Sequence, residues 1–85
     1  MVVYRIEFVP AAARQMRNLD PPVRRRLDAA IQALRADPRP PACKKLSGRE
    51  EYRIRVGDYR ILYEVEDTVL RVLVVKVGHR RDVYA

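Results

Sequence analysis

The sequence predicts a single α+β domain over residues 1–85, in which an antiparallel pair of helices packs on one face of a mostly antiparallel, twisted four-stranded sheet. A chain of 85 residues has the length of one domain. Alternating and β-branched segments predict one strand at the N-terminus and three in the C-terminal half, and two helical patterns lie between them. The predicted order of elements is therefore βααβββ.

The N-terminal half contains the first strand and both helices. Residues 2–9, VVYRIEFV, alternate apolar and polar side chains, so they predict a strand that ends at Pro10. Residues 10–19 repeat apolar side chains at helical spacing and predict a short first helix. Asp20, followed by two prolines, predicts the N-cap and first turn of the second helix. The apolar stripe of that helix consists of Val23, Leu27, Ala30, Ile31 and Leu34.

The C-terminal half predicts a meander. Prolines within residues 38–41 end the second helix and stiffen the connection that follows it. The three predicted strands are residues 51–56, 59–66 and 69–77, with turns at 57–58 and 66–67. The last strand, VLRVLVVKV, is apolar on both faces, which is typical of an interior strand.

The hairpin turn at Gly57-Asp58 predicts which side chains share a face of the sheet. A two-residue loop places Arg55 opposite Arg60, and Arg53 then lies on the same face as both. The other face, toward the helices, carries Tyr52, Ile54, Val56, Tyr59, Ile61 and Tyr63. Like charges directly opposite each other destabilise a strand pair by about 0.2–1 kcal/mol, so the arginines predict an external anion. The alternative is an ordinary solvated face whose arginine stems cover apolar surface.

The composition indicates an anionic partner. Eighteen Lys and Arg residues stand against eleven Asp and Glu residues, for a formal charge of +7, and fifteen of the eighteen are arginine. Guanidinium groups bind phosphate with two parallel hydrogen bonds and stack on aromatic rings. A basic domain of this kind meets nucleic acid, an anionic membrane or an acidic protein, and the arginine pattern favours the backbone of a nucleic acid.

Several other classes of protein are disfavoured. Cys43 is the only cysteine and His79 the only histidine, so neither an internal disulfide nor a structural zinc site is expected. No apolar stretch is long enough to span a bilayer, and the N-terminus lacks the apolar core of a signal peptide. We therefore expect a cytoplasmic protein with no membrane partner, no cofactor and no metal.

The terminal segment, residues 78–84, is expected to add to the arginine site. Gly78 permits a sharp exit from the sheet, after which His79, Arg80 and Tyr84 are expected beside Arg60. Tyr84 is suited equally to packing on the domain's own edge and to stacking on a base. His79 is a candidate general base because its ordinary pKa lies near neutrality, although a lone histidine is more often structural.

Two segments resemble the C-terminal half of RelE-type toxins, which belong to the RelE/ParE toxin–antitoxin superfamily. They are residues 52–65, YRIRVGDYRILYEV, and residues 77–84, VGHRRDVY. The βααβββ order matches as well, so the resemblance covers the whole chain. It implies a toxin of a type II system that enters the ribosomal A site and cleaves mRNA there, without a metal, by attack of the RNA's own 2′-OH. The implied outcome is inhibition of translation.

The resemblance also implies partners. The first is a cognate RelB-like antitoxin, which is expected to lay an amphipathic, partly acidic helix over the apolar surface and helices of the domain. The others are the ribosome and its mRNA. Operator DNA is implied only through the toxin–antitoxin complex.

The family's site residues carry over by position. The basic pair on the second strand falls on Arg53 and Arg55, the arginine of the third strand on Arg60, the arginine after the last strand on Arg80, and the terminal tyrosine on Tyr84. Residues expected to contact RNA are Arg53, Arg55, Lys44, Lys45 and Arg81. The second-strand pair is often lysine in the family, whereas arginine stays protonated in proteins. Here the pair is therefore expected to bind phosphate and stabilise charge, and any base comes from elsewhere.

Two other functions stay open at this stage. One is a ParE-like toxin that inhibits DNA gyrase without cleaving nucleic acid, and the other is an RNA-binding or ribosome-binding module without chemistry. ParE-like members generally lack the full basic set with the terminal tyrosine. Because this chain has that set, the sequence favours the endoribonuclease.

Overall fold

The computed structural model describes residues 2–46 and 50–83, and it confirms the α+β fold. In chain order, the elements are β1 (Arg5–Phe8), α1 (Pro10–Arg17), α2 (Pro21–Ala33), β2 (Lys44–Lys45), β3 (Glu51–Val56), β4 (Tyr59–Glu66), β5 (Arg71–His79) and α3 (Arg80–Val83). The predicted first strand shortens at both ends, and the predicted first helix ends two residues early.

The strands form one mixed sheet in the order β1-β5-β4-β3-β2. β1 runs parallel to β5, and the other neighbours are antiparallel. β5 lies between two neighbours, as its apolar sequence predicts. The strand that the sequence does not predict is β2. It has only two residues, which pair with Arg53 and Tyr52 of β3. A strand of two residues has no alternation to recognise, so the sequence pattern predicts only four.

Both long helices cover the same face of the sheet. Ala12 and Met16 of α1 and Leu27 and Ile31 of α2 are buried, and Leu34 completes the stripe. They pack against the buried residues of the strands, which are Tyr52, Ile54, Ile61, Tyr63, Val65, Val72, Val74 and Val77. The core therefore lies entirely between the helices and one sheet face, which leaves the side chains of the other face for function.

Asp20 occupies the N-cap position of α2 as predicted, but its side chain makes no capping hydrogen bond. The two prolines that follow have no N–H group to donate. In the first turn of the helix, the Arg24 N–H instead donates a backbone hydrogen bond to the Asp20 carbonyl at 2.9 Å. Proline's fixed φ, rather than a side-chain cap, starts this helix.

The proline-rich connection after α2 is anchored to the core by a tyrosine. The hydroxyl of the fully buried Tyr63 donates to the Pro38 carbonyl at 2.8 Å, and burial raises the pKa of Tyr63 above its ordinary value. Its ring stacks on that of Tyr52, with centroids 5.8 Å apart. These contacts hold the connection against the sheet, where it can pair as β2.

A polar cluster, which we call the Arg39 cluster, ties four segments together at the sheet end opposite the β3–β4 hairpin. The Arg39 guanidinium contacts Asp67 at 2.8 Å, the Tyr52 hydroxyl at 2.8 Å and Glu50 at 3.3 Å. Tyr4 donates its hydroxyl hydrogen to Asp67 at 2.6 Å. The hydrogen bonds from Arg39 and Tyr4 lower the pKa of the Asp67 carboxyl from 3.8 to about 2.

β5 is displaced along the chain relative to its prediction. The tight turn predicted at 66–67 is a 3₁₀ turn over Asp67–Val69, which ends at Leu70 in the left-handed region with a φ of 52°. At its other end, β5 continues through His79, because Tyr59, the first residue of β4, pairs with His79. The chain therefore leaves the sheet after His79 and not at Gly78 as predicted. No helix in the described ranges is long and apolar enough to cross a membrane.

Candidate nucleic-acid interface

The β3–β4 hairpin places three arginines on the sheet face that points away from α1 and α2. Gly57 has a φ of 59°, which the first position of a type II′ turn requires and which glycine adopts without steric cost. The register is as predicted, with Arg55 opposite Arg60 and Arg53 opposite Leu62. We call this surface, defined by Arg53, Arg55 and Arg60, the arginine face. The predicted grouping of its residues is confirmed.

The charges of Arg55 and Arg60 are not balanced by nearby carboxylates. Neither residue forms an ion pair or a side-chain hydrogen bond with residues 2–46 or 50–81. Arg55 is exposed, whereas Arg60 is half-buried and its Nε atom is buried without a hydrogen-bond partner in the described chain. A buried donor that lacks a partner costs free energy, and an anionic oxygen bound to it removes that cost.

The far half of the same sheet face has a different electrostatic character. Arg71 forms ion pairs with Glu66 at 2.8 Å and with Glu7 at 3.2 Å, and Arg5 pairs with Glu7 at 3.2 Å. The basic groups there are neutralised, Arg71 by carboxylates on the two neighbouring strands and Arg5 by a carboxylate on its own strand. The unbalanced positive charge is thus concentrated near the hairpin, which limits where a polyanion binds most favourably.

Lys44 and Lys45, both predicted to contact RNA, point to opposite faces of the sheet. Lys44 lies directly opposite Arg53, so its side chain joins the arginine face. Lys45 lies opposite Tyr52 and forms an ion pair with Glu50 at 3.2 Å, beside the Arg39 cluster. Because successive residues of a strand point to opposite faces, Lys45 does not lie on the arginine face with Lys44, and its contact with RNA stays a prediction.

The terminal arginines follow the sheet as a short helix. Arg80 begins α3, and its backbone N–H donates to the Asp58 carbonyl at 2.8 Å. This bond holds the start of α3 beside the hairpin turn that sets the register of the arginine face. The side chains of Arg80 and Arg81 are both exposed. Tyr84 lies outside the described residues, so its predicted place in the site stays a prediction.

His79 lies on the helix side of the sheet, not beside Arg60 as expected. It is opposite Tyr59, and the two rings meet edge to face with centroids 5.6 Å apart. Its Nδ1 accepts a hydrogen bond from the Arg81 N–H at 3.3 Å. Gly78 is the residue opposite Arg60. The position separates the imidazole from the arginine face, and a role as general base stays a prediction without support from geometry.

Lys76 is a residue of the arginine face that sequence reasoning missed. It lies opposite Leu62, whose other neighbour across the sheet is Arg53. Plain alternation along β5 would group Lys76 with the buried Val72 and Val74. The one available signal is the pair of consecutive valines before Lys76, which permits a change of phase in the strand.

The groups that the arginine face offers are cationic hydrogen-bond donors. In the part of the chain that the structure describes, no three His, Cys, Asp or Glu side chains come together as metal ligands. Donors spaced across neighbouring strands, about 4.8 Å apart, suit phosphate oxygens and charge that develops on them. The site and fold thus define a class, namely small basic α+β proteins with a cationic face on the sheet opposite the helices.

Comparison with known proteins identifies the family. Residues 6–84 match the family described as the ParE toxin of the type II toxin–antitoxin system parDE. The chain belongs to this family, and it is a toxin of the RelE/ParE superfamily of type II toxin–antitoxin systems. The resemblance to that superfamily inferred from residues 52–65 and 77–84 is thereby confirmed.

Individual relatives cover nearly the whole chain. The toxin RelG of Mycobacterium tuberculosis is 29% identical over an alignment of 87 residues, which covers 95% of this chain and 95% of RelG. The crystal structure of the isolated Escherichia coli RelE toxin has a TM-score of 0.83 at 30% identity and covers 95% of this chain and 90% of its own. A RelBE toxin–antitoxin complex of Mycobacterium tuberculosis gives a TM-score of 0.83 at 28% identity, with 96% and 97% covered.

Proposed function

We propose that this toxin is a ribosome-dependent endoribonuclease that cleaves mRNA in the ribosomal A site and so inhibits translation. The observation that carries the proposal is the arginine face, where Arg55 and Arg60 oppose each other without a neutralising carboxylate in the described chain. Such an arrangement disfavours the isolated fold and favours a bound polyanion. The similarity to RelE and RelG over nearly the whole chain supports the same activity.

The proposed reaction is internal transesterification. The 2′-oxygen of the RNA attacks the adjacent phosphorus, the bond from phosphorus to the 5′-oxygen breaks, and the products are a 2′,3′-cyclic phosphate and a 5′-hydroxyl. Arg53, Arg55 and Arg60 bind the phosphate and stabilise the negative charge that develops on its oxygens. Because arginine remains protonated in proteins, these three residues do not accept the 2′-proton, which passes to water.

The terminal segment completes the proposed site. Arg80, held beside the hairpin through its N–H bond to Asp58, stabilises the negative charge that develops on the leaving 5′-oxygen, which takes its proton from water. Tyr84 stacks on or orients a base of the message. Arg81 and Lys44 contribute further contacts to the RNA backbone.

We propose a RelB-like antitoxin as the partner that controls the toxin. Solved relatives include toxin–antitoxin complexes from Escherichia coli and Mycobacterium tuberculosis. An apolar groove of about 380 Å³ lies between α2 and β3, and its lining includes Ala30, Leu34, Pro40, Ile54 and Val56. A partly acidic amphipathic segment of the antitoxin fits this groove and the +7 charge of the chain. Operator DNA is contacted only through the complex.

The proposed chemistry is tested with modified message on ribosomes. A message with a single 2′-deoxynucleotide at the cleaved position of the A-site codon is expected to stay intact, because the attacking hydroxyl is missing. The matched message with 2′-deoxy substitution one codon upstream is expected to be cut normally. Equal cutting of both messages would contradict 2′-OH attack.

The family match also supports a second candidate, a ParE-like inhibitor of DNA gyrase. Its supporting observation is that the matched family is described as the ParE toxin. The presence of basic residues at all four arginine positions carried over from RelE-type toxins favours the endoribonuclease over this candidate. Gyrase inhibition predicts blocked supercoiling with intact message.

Replacing His79 with glutamine is expected to leave the pH–rate profile of cleavage on ribosomes unchanged. The imidazole contacts Tyr59 on the helix side, so it does not reach a phosphate bound on the arginine face. Single-turnover cleavage rates of wild type and His79→Gln from pH 5.5 to 8.5 measure this. A flattened acidic limb in the variant would restore His79 as the base.

A further inference from the structure

A β-bulge in β5 sets which side chains of that strand point to the arginine face. Leu62 pairs with Lys76 and Tyr63 pairs with Val74, so Val75 is an extra residue without a partner on β4. Before the bulge, Val72 and Val74 are buried against the helices, and after it Val77 takes that role. The bulge therefore keeps the core apolar and also turns Lys76 outward. Bulges are frequent beside functional sites, where they re-aim a side chain.

Lys76 completes a row of side chains that crosses the sheet. Lys44 of β2 lies opposite Arg53 of β3, Arg53 opposite Leu62 of β4, and Leu62 opposite Lys76 of β5. Three spacings between neighbouring strands separate the two lysines, which is about 14 Å. Next to this row lies the pair Arg60 and Gly78. Since Gly78 has no side chain, it leaves space for the Lys76 side chain to reach diagonally across the sheet toward a group bound at Arg60.

The charge of Lys76 is available for a ligand. On the same strand and the same face, Arg71 is neutralised by Glu66 and Glu7. Lys76 has no ion pair with any carboxylate in residues 2–46 and 50–81. Arg71 and Lys76 thus lie on the same face of β5. Of the two, only Lys76, which lies beside the arginine face, lacks an ion-pair partner in residues 2–46 and 50–81.

We propose that Lys76 binds a phosphate of the message and that the RNA backbone crosses the strands, from Lys44 past the arginine face to Lys76. This inference rests on the proposed RNA-directed function and extends it by naming a further binding residue and the path of the substrate. A lysine makes a point-charge contact, which suits a phosphate that flanks the cleaved one. The reacting phosphate stays with the arginines.

The salt dependence of RNA binding tests the contact. Affinity of the full chain for a fluorescent single-stranded RNA, 2′-O-methylated throughout to prevent cleavage, is measured by anisotropy over a range of KCl concentrations. Losing one phosphate contact lowers the slope of log affinity against log salt by about 0.7 for a single strand. Lys76→Ala is expected to lose about 0.7, and Lys76→Arg is expected to keep the wild-type slope.

Two further variants make the test specific. Arg26→Ala removes the same charge from an exposed position on α2, on the other side of the sheet, and its slope is expected to equal that of wild type. Lys44→Ala combined with Lys76→Ala is expected to lose about 1.4 in slope if the RNA crosses the strands. A slope of the double variant equal to that of Lys76→Ala would overturn the crossing path.

The outcomes separate this inference from the proposed function. If wild type binds the RNA with a steep salt dependence and Lys76→Ala has the same slope, the Lys76 contact is overturned and the RNA-directed function stands. If wild type shows no salt-dependent affinity for the RNA, the Lys76 contact and the crossing path are overturned, and the proposed cleavage is judged separately by primer extension on ribosomes. Equal loss of slope in Arg26→Ala and Lys76→Ala also overturns the contact, because the effect is then one of net charge.

Discussion

Replacing Arg60 with methionine is expected to lower the rate of message cleavage on ribosomes by about 10²–10³-fold, the usual effect of removing one preorganised donor to developing charge. Arg60 is half-buried with an unpartnered Nε and lies at the centre of the arginine face. Methionine retains much of the aliphatic stem and removes the charge. The variant should be at least as stable as wild type, and more stable by up to about 1 kcal/mol, because the repulsion with Arg55 is gone.

Single-turnover cleavage and denaturant unfolding of the same preparations measure both effects. Arg26→Met is the matched control, since Arg26 is exposed on α2, on the other side of the sheet. It changes net charge equally and is expected to cleave within a few-fold of wild type. A cleavage defect shared equally by both variants would indicate a general charge effect, and a destabilised Arg60→Met would show that this arginine serves the fold.

Replacing Arg39 with methionine is expected to lower the free energy of unfolding by about 1.5–3 kcal/mol, the range for hydrogen bonds to charged groups. Arg39 links Asp67, Glu50 and Tyr52, and its guanidinium lies over the Tyr52 ring at 5.3 Å from the centroid. The surface ion pairs alone contribute little, so most of the loss comes from the bond and ring contact with Tyr52. Urea unfolding at pH 7 measures the change, with Arg26→Met again as control.

The Arg39 cluster also predicts a pH dependence of stability. The pKa of Asp67 is about 2 in the folded chain, against an ordinary value of 3.8, with the Arg39 hydrogen bond as the first cause. A carboxyl whose pKa is lowered by folding stabilises the fold above its ordinary pKa, and this contribution is lost as the pH falls through the folded value. Wild type should therefore lose stability between about pH 4 and pH 2.

Removal of Arg39 should weaken that acid dependence. In Arg39→Met, the pKa of Asp67 moves back toward its ordinary value, so the fall in the urea midpoint between pH 4 and pH 2 becomes shallower than in wild type. Tyr4 still donates to Asp67, which leaves part of the effect. An identical acid slope in the two proteins would show that Arg39 does not set the ionisation of Asp67.

The hairpin and the helices were predictable because each signal is local. Gly57-Asp58 specifies a two-residue loop, and the alternation on both sides of it leaves one register that buries Ile54, Ile61 and Tyr63. The faces of β3 and β4, and with them the three arginines, follow from that register. The stripe of α2 is equally local, since its period alone identifies the buried residues.

The bulge in β5 was not predictable, and it accounts for two errors in the expected site. The segment VLRVLVVKV is apolar on both faces, so it lacks the alternation of apolar and polar residues that shows which side chains point to the core. An extra residue in the strand therefore leaves no visible break in the sequence pattern. Inserting Val75 turns Lys76 onto the arginine face and moves His79 to the helix side. The position of Lys45 has a different cause. It follows from the pairing of the two-residue strand β2 with β3, which depends on contacts between residues distant in sequence.

The most direct test of the proposed activity is primer extension on a defined message bound to purified ribosomes, with and without the toxin. The expected result is a toxin-dependent cut within the A-site codon, which is absent without ribosomes and strongly reduced in Arg60→Met. Gyrase supercoiling of plasmid DNA should be unaffected at the same toxin concentration. Intact message together with blocked supercoiling would contradict the endoribonuclease and favour the gyrase inhibitor.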